Sequence, residues 1–166
     1  MTPPLPRIIK AMRTLLCTVA FASLVATAPA QNSGRKIRTQ PSALAARAGS
    51  AIQWRADLET ALDESQLEQK PIFWYVPTIR RSFMDRKVEI DRYMMAGPFS
   101  WPRVTAFVNE HFIPVRMEAG KAECETYGLK PLGFIEPGWI VLGEGGVEVA
   151  REHQITTFHP ARFLAP

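Results

Sequence analysis

PIFWYVPTIRRSFM, residues 71–84, joins two opposite signals within one short span. Ile72 to Val76 is an unbroken apolar run rich in aromatic and β-branched side chains. A run of that kind suits a strand with both faces covered, in the middle of a sheet. Pro77 and Thr78 end it, and Ile79, Arg80, Arg81 and Ser82 form a mostly polar turn. MDRKVEIDRYMM (84–95) follows, with Met84, Val88, Ile90, Met94 and Met95 on helical faces between charges. Its mixed charges, Asp85, Arg86, Lys87, Glu89, Asp91 and Arg92, read as a solvated helix face.

Working outward, ADLETALDESQLEQ (56–69) carries Leu58, Ala61 and Leu62 at helical spacing, with acids near its start where the helix dipole favours them. Ile52–Trp54 before it is a short first strand. On the other side AGPFSWP (96–102) breaks the chain, and RVTAFVNEHF (103–112) presents Val104, Phe107, Val108 and Phe112 as one stripe. Ser100 is placed to cap that helix and Pro102 to sit in its first turn. FIPVRM (112–117) is a further strand interrupted by Pro114, and AGKAECETYG (119–128) is a short helix closed by Gly128. GWIVL (138–142) and VEVA (147–150) flank Gly143–Gly146 as a hairpin, and TTFHPARFL (156–164) is expected to form a last short helix. Strands separated by helices, then a hairpin, predict an α/β fold: a three-layer sandwich, a mixed sheet with helices on both faces.

Residues 1–30 read as a secretory signal peptide: Arg7, Lys10 and Arg13, no acid, the run TLLCTVAFASLVATA, then the small residues Ala28-Pro29-Ala30. The run is too short for a spanning helix, so no stable membrane span is expected after cleavage, and the protein is expected to be exported, periplasmic or extracellular. Residues 31–51 (QNSGRKIRTQPSALAARAGSA) read as a flexible linker, and 52–166 as one domain. Of the 20 basic residues three fall in 1–30 and none of the 16 acidic ones do, so 31–166 carries 17 against 16, a net charge of +1. Four of those 17 (Arg35, Lys36, Arg38, Arg47) lie in the linker. The domain is therefore slightly acidic and no nucleic-acid partner is implied. Residues 31–166 contain one cysteine, Cys124, so that segment has no internal disulfide.

Over residues 52–166 the chain resembles the thioredoxin-like superfamily. The resemblance rests on EQKPIFWYVPTIRRSFM, NEHFIPVRMEA and TYGLKPLGFIEPGWIVLGEGGVEV. It implies that Pro137 is the cis-proline, that Ile79 and Ser82 stand where the two cysteines of the CxxC motif would be, and that Glu136 faces that turn. Dithiol exchange needs an attacking thiolate and a resolving thiol, and neither isoleucine nor serine supplies one.

Ile79, Arg80, Arg81, Ser82, Trp101, Glu136 and Pro137 are the candidate binding residues. Glu136 is expected to pair with Arg80 or Arg81, and Phe99 with Trp101 to line an apolar groove beside Pro137. Cys124 is the one catalytic candidate, against the simpler reading of a packed helix residue, because Glu123 and Glu125 beside it disfavour the thiolate. His111, His153 and His159 have no metal-site spacing, so neither a metal nor a cofactor is expected. Two functions follow as expectations. One is a redox-inactive module that binds a polypeptide or an envelope protein; the other is a thiol-dependent enzyme in which Cys124 works with a partner's thiol.

Overall fold

The computed structural model describes residues 42–83, 87–159 and 161. The expected signal peptide (1–30), residues 31–41 of the expected linker, and Met84 lie outside the described residues.

Ile72–Val76 forms β1, and its alternation sets the architecture. Ile72, Trp74 and Val76 enter one core with Ile113, Val115, Ile140 and Leu142, while Phe73 and Tyr75 enter another with Met94, Phe99, Val104 and Val108. Both sets are buried, so each face of the strand needs its own helical cover. Helix α1 (Leu58–Glu68) and the short α4 (Lys121–Thr126) cover the Trp74 face. Helices α2 (Lys87–Ala96) and α3 (Pro102–His111) cover the Tyr75 face.

The sheet has the order β2–β1–β3–β4, with β2 at Ile113–Arg116, β3 at Gly138–Leu142 and β4 at Glu148–Glu152. β2 runs parallel to β1 in the register Ile72↔Ile113, whereas β3 is antiparallel to it with Trp74 opposite Ile140. The β3–β4 hairpin turns through Gly145 and Gly146 at φ 67° and 77°, conformations a Cβ disfavours. The expected three-layer sandwich with a mixed sheet is therefore present.

The local signals hold in most places. Asp57 caps α1, its carboxylate accepting the Thr60 N–H at 2.7 Å. At the end of α4, Gly128 takes φ 63° and the Leu129 N–H reaches the Cys124 carbonyl at 3.0 Å, a Schellman closure.

Three expectations are corrected. Ile52–Trp54 is not a strand: one bridge, Arg55 to Val115, replaces it. The Arg55 N–H reaches the Pro114 carbonyl and the Arg116 N–H reaches the Arg55 carbonyl, but Pro114 has no N–H to continue that ladder towards Gln53. Ser100 does not cap α3; its hydroxyl donates to the Met95 carbonyl at 2.7 Å and accepts the Gly49 N–H at 2.8 Å. That second bond is one of several that tie the last residues of the expected linker, Gly49 and Ala51, to the domain. Gly49 is buried, its carbonyl accepts from Trp54 Nε1 at 3.0 Å, and the Ala51 carbonyl accepts from Asn109 at 3.0 Å. Finally, Thr156–His159 is not helical; residues 160 and 162–166 lie outside the described residues. Among the described residues no helix is long and apolar enough to cross a membrane.

Candidate functional site

The site lies where β1 and β2 end. After Val76 the chain turns through Thr78, and a short parallel bridge, Ile79 to Ala119, ties the turn to the segment leaving β2. The Ala119 N–H donates to the Thr78 carbonyl at 3.1 Å and the Arg80 N–H to the Ala119 carbonyl at 2.9 Å. Ile79 is buried by this anchoring, and it thrusts Arg80 and Arg81 to the surface. Arg81 holds φ 66°, a left-handed conformation uncommon for a side chain of its size, and the Ser82 N–H closes the turn on the Ile79 carbonyl at 3.0 Å.

Arg80 and Arg81 form a ridge between two depressions. The first, about 370 Å³, is lined by Pro77–Arg81, Lys87, Val88, Asp91, Arg116 and Glu118. The second, about 330 Å³, is lined by Arg80, Arg81, Gly120, Lys121 and Cys124. Gly120 makes room there: a Cβ on it would stand 2.8 Å from Glu123 Oε2 and 3.9 Å from Arg80 Nη1.

In the floor of the first depression Arg116 Nη2 holds Asp91 Oδ2 at 2.7 Å, joining the end of β2 to α2. Among the described residues Arg116 Nε, Asp91 Oδ1 and the neighbouring Tyr75 hydroxyl are buried with no partner at hydrogen-bond geometry. Burial, and then the Asp91 charge, push the Tyr75 phenol far above its usual range, so it stays neutral. Lys87 Nζ donates to the Ser82 carbonyl at 3.0 Å. Neither Arg80 nor Arg81 has an ion pair with any described carboxylate.

The Glu136–Pro137 peptide bond is cis, at the position the resemblance implied. The expected pairing of Glu136 with the arginines is not formed. Glu136 is 3 % exposed and its Oε1 has no hydrogen-bond partner, while both arginines stand in solvent. Pro137 is buried too, so neither residue offers a surface in this structure. The expected aromatic groove is also absent. Phe99 is fully buried against Trp54, Phe73 and Tyr75, with ring centroids 4.9–6.1 Å apart, and only Trp101 is exposed. Trp101 lines neither depression beside the arginines.

Cys124 borders the second depression on α4. Burial raises its thiol pKa above the ordinary value, and Glu123, Glu136 and Glu125 raise it further, so the thiol keeps its proton at neutral pH. His153 has a structural role: its Nδ1 accepts the Ile135 N–H at 3.5 Å and its ring lies 5.6 Å from Phe134.

Of the candidate binding residues, Ile79, Arg80 and Arg81 line the first depression and Ser82 lines neither, whereas Thr78, Lys87, Asp91, Arg116 and Glu118, which also line the first, were not among the candidates. A charged residue closing the apolar strand IPVR was the available signal for Arg116.

No protein-family profile and no curated protein sequence matches the chain. Solved structures do. One is described as DsbH oxidoreductase, with a TM-score of 0.50 at 16% identity over 74% of this chain and 85% of that one. Another, the solution structure of a thioredoxin from Thermus thermophilus, also gives 0.50 at 16% identity, over 69% and 82%. The chain has a thioredoxin-like fold. At this level of identity the likeness concerns the fold alone.

Proposed function

We propose that the protein is an exported, redox-inactive thioredoxin-fold module that binds an extended segment of a polypeptide partner. The carrying observation is the Arg80–Arg81 ridge. At the turn where the fold's dithiol would stand, the chain carries Ile79 and Ser82 and exposes two arginines that have no ion-pair partner among the described residues, between two open depressions. Its two cysteines, Cys17 and Cys124, are far apart in sequence, so no CxxC pair is available. Recognition of an extended chain needs shape, backbone and charge, and no nucleophile. The enzyme reading through Cys124 is disfavoured by the raised thiol pKa.

Two measurements test the proposal. The purified full chain should reduce insulin disulfides no faster than a thiol-free control. On an array of short peptides it should retain a subset, and an Arg80→Gln/Arg81→Gln double variant should lose that subset while keeping the wild-type circular dichroism. Insulin reduction well above background, or an array with no retained peptide, overturns the reading.

A further inference from the structure

We propose that the depression between the Thr78–Arg81 turn and α2 is a carboxylate subsite, so that the bound polypeptide is an acidic one. The inference rests on the peptide-binding reading and names the chemistry of the partner. Four cations line the depression, Arg80, Arg81, Lys87 and Arg116, against two carboxylates, Asp91 and Glu118. Asp91 is already committed to Arg116 at 2.7 Å. Arg80 and Arg81 lack carboxylate partners among the described residues, and Arg116 Nε is a buried donor that no described residue meets. A buried donor on a guanidinium is costly to leave unpaired, and a carboxylate is the group its planar fork fits.

The choice of a carboxylate over a phosphate follows from the peptide-binding reading: the excess of two positive charges calls for an anion, and a carboxylate is the anion an unmodified polypeptide carries on its side chains and at its terminus. Continuity argues for a polypeptide over a free small acid. Arg80 and Arg81 line both depressions, so a chain lying along the Gly120–Cys124 side meets the ridge and sets one side chain, or its terminus, into the subsite.

The test is fluorescence anisotropy of the full chain with labelled, blocked Ala/Ser peptides carrying one central Glu, the same peptides carrying Gln, and the Gln peptide with a free or an amidated C-terminus. The Glu peptide is expected to bind about tenfold more tightly than the Gln peptide, the worth of one charge-assisted contact. The advantage should shrink on raising salt from about 20 to about 300 mM. Arg81→Gln should erase most of it, and Lys87→Gln, which leaves the left-handed turn residue intact, should reduce it. Arg103→Gln, with the same net charge change on α3, should not. A tighter free C-terminus than amide assigns the terminal carboxylate as the source. Equal binding of Glu and Gln peptides, with no terminal preference, overturns the subsite and leaves peptide binding standing. Loss of all peptide binding overturns both. Inorganic phosphate displacing the Glu peptide more strongly than acetate at equal concentration overturns the carboxylate assignment.

Discussion

Gly138→Ala is the sharpest test of the packing behind the site. Gly138 follows Pro137 and opens β3. A Cβ there would stand 2.6 Å from the Glu152 carbonyl oxygen, 2.6 Å from Phe134 Cζ and 3.1 Å from His153 Cα. Two of these atoms are backbone at the end of β4, and the third belongs to a fully buried ring. None can yield without parting the hairpin or expelling Phe134 from the core. Overpacking costs about 1–3 kcal/mol, and with backbone atoms in the clash the upper end applies; the stiffer unfolded chain of alanine returns about 0.4–1 kcal/mol, leaving a net loss of about 2 kcal/mol. For a domain of this size that corresponds to a fall of roughly 8 °C in Tm. Gly145→Ala is the control: its φ is 67° with no atom within 4 Å of the new Cβ, so only the left-handed backbone costs anything, about 1 kcal/mol. Thermal melts followed by far-ultraviolet circular dichroism, with urea titrations to check an unchanged slope, measure both. If Gly138→Ala melts within a degree or so of wild type, or above Gly145→Ala, the close approach of β4 to Gly138 is refuted.

Two further outcomes follow from charge and burial. Burial, and then the charges of Glu123, Glu136 and Glu125, hold the Cys124 thiol above its ordinary range. Its alkylation by iodoacetamide should therefore be slow at neutral pH and keep rising through pH 8.5, and Glu123→Gln should move the profile towards lower pH. A rate plateau below pH 8 would contradict this and restore Cys124 as a nucleophile. Asp57 is the second case, its carboxyl held below the ordinary value by the Thr60 N–H bond. A depressed carboxyl stabilises above its unfolded pKa, and that contribution disappears as pH falls through its folded value. Asp57→Ala should accordingly lower Tm at pH 7 and converge with wild type by about pH 2. A gap that does not change with pH would show that the cap charge contributes nothing.

The central strand, the hairpin and the two-sided cover were legible in the chain because each depends on neighbours a few residues apart. Five apolar residues in a row, IFWYV, need helices on both faces wherever they lie, and Gly145 and Gly146 permit the left-handed turn whatever packs around it. The arginines at 80 and 81 were legible as an exposed turn for the same reason. Reading Ser100 as a helix cap failed because its hydroxyl is claimed by Gly49, a residue 51 positions away.

The pairing in the floor of the site was not legible. Arg116 and Asp91 are 25 residues apart, and they meet because the parallel register carries Arg116 to the level of Tyr75 while α2 crosses that face. Glu136 is expected from the resemblance to face the turn and hold an arginine, yet the fold closes over it and no such pair forms. By itself the sequence determined most of the strands, helices and turns, since periodicity and backbone preference are local. Which charges face one another, and which carboxylate is buried, was decided by the tertiary structure, since a register shift of one residue sends every side chain of a strand to the opposite face.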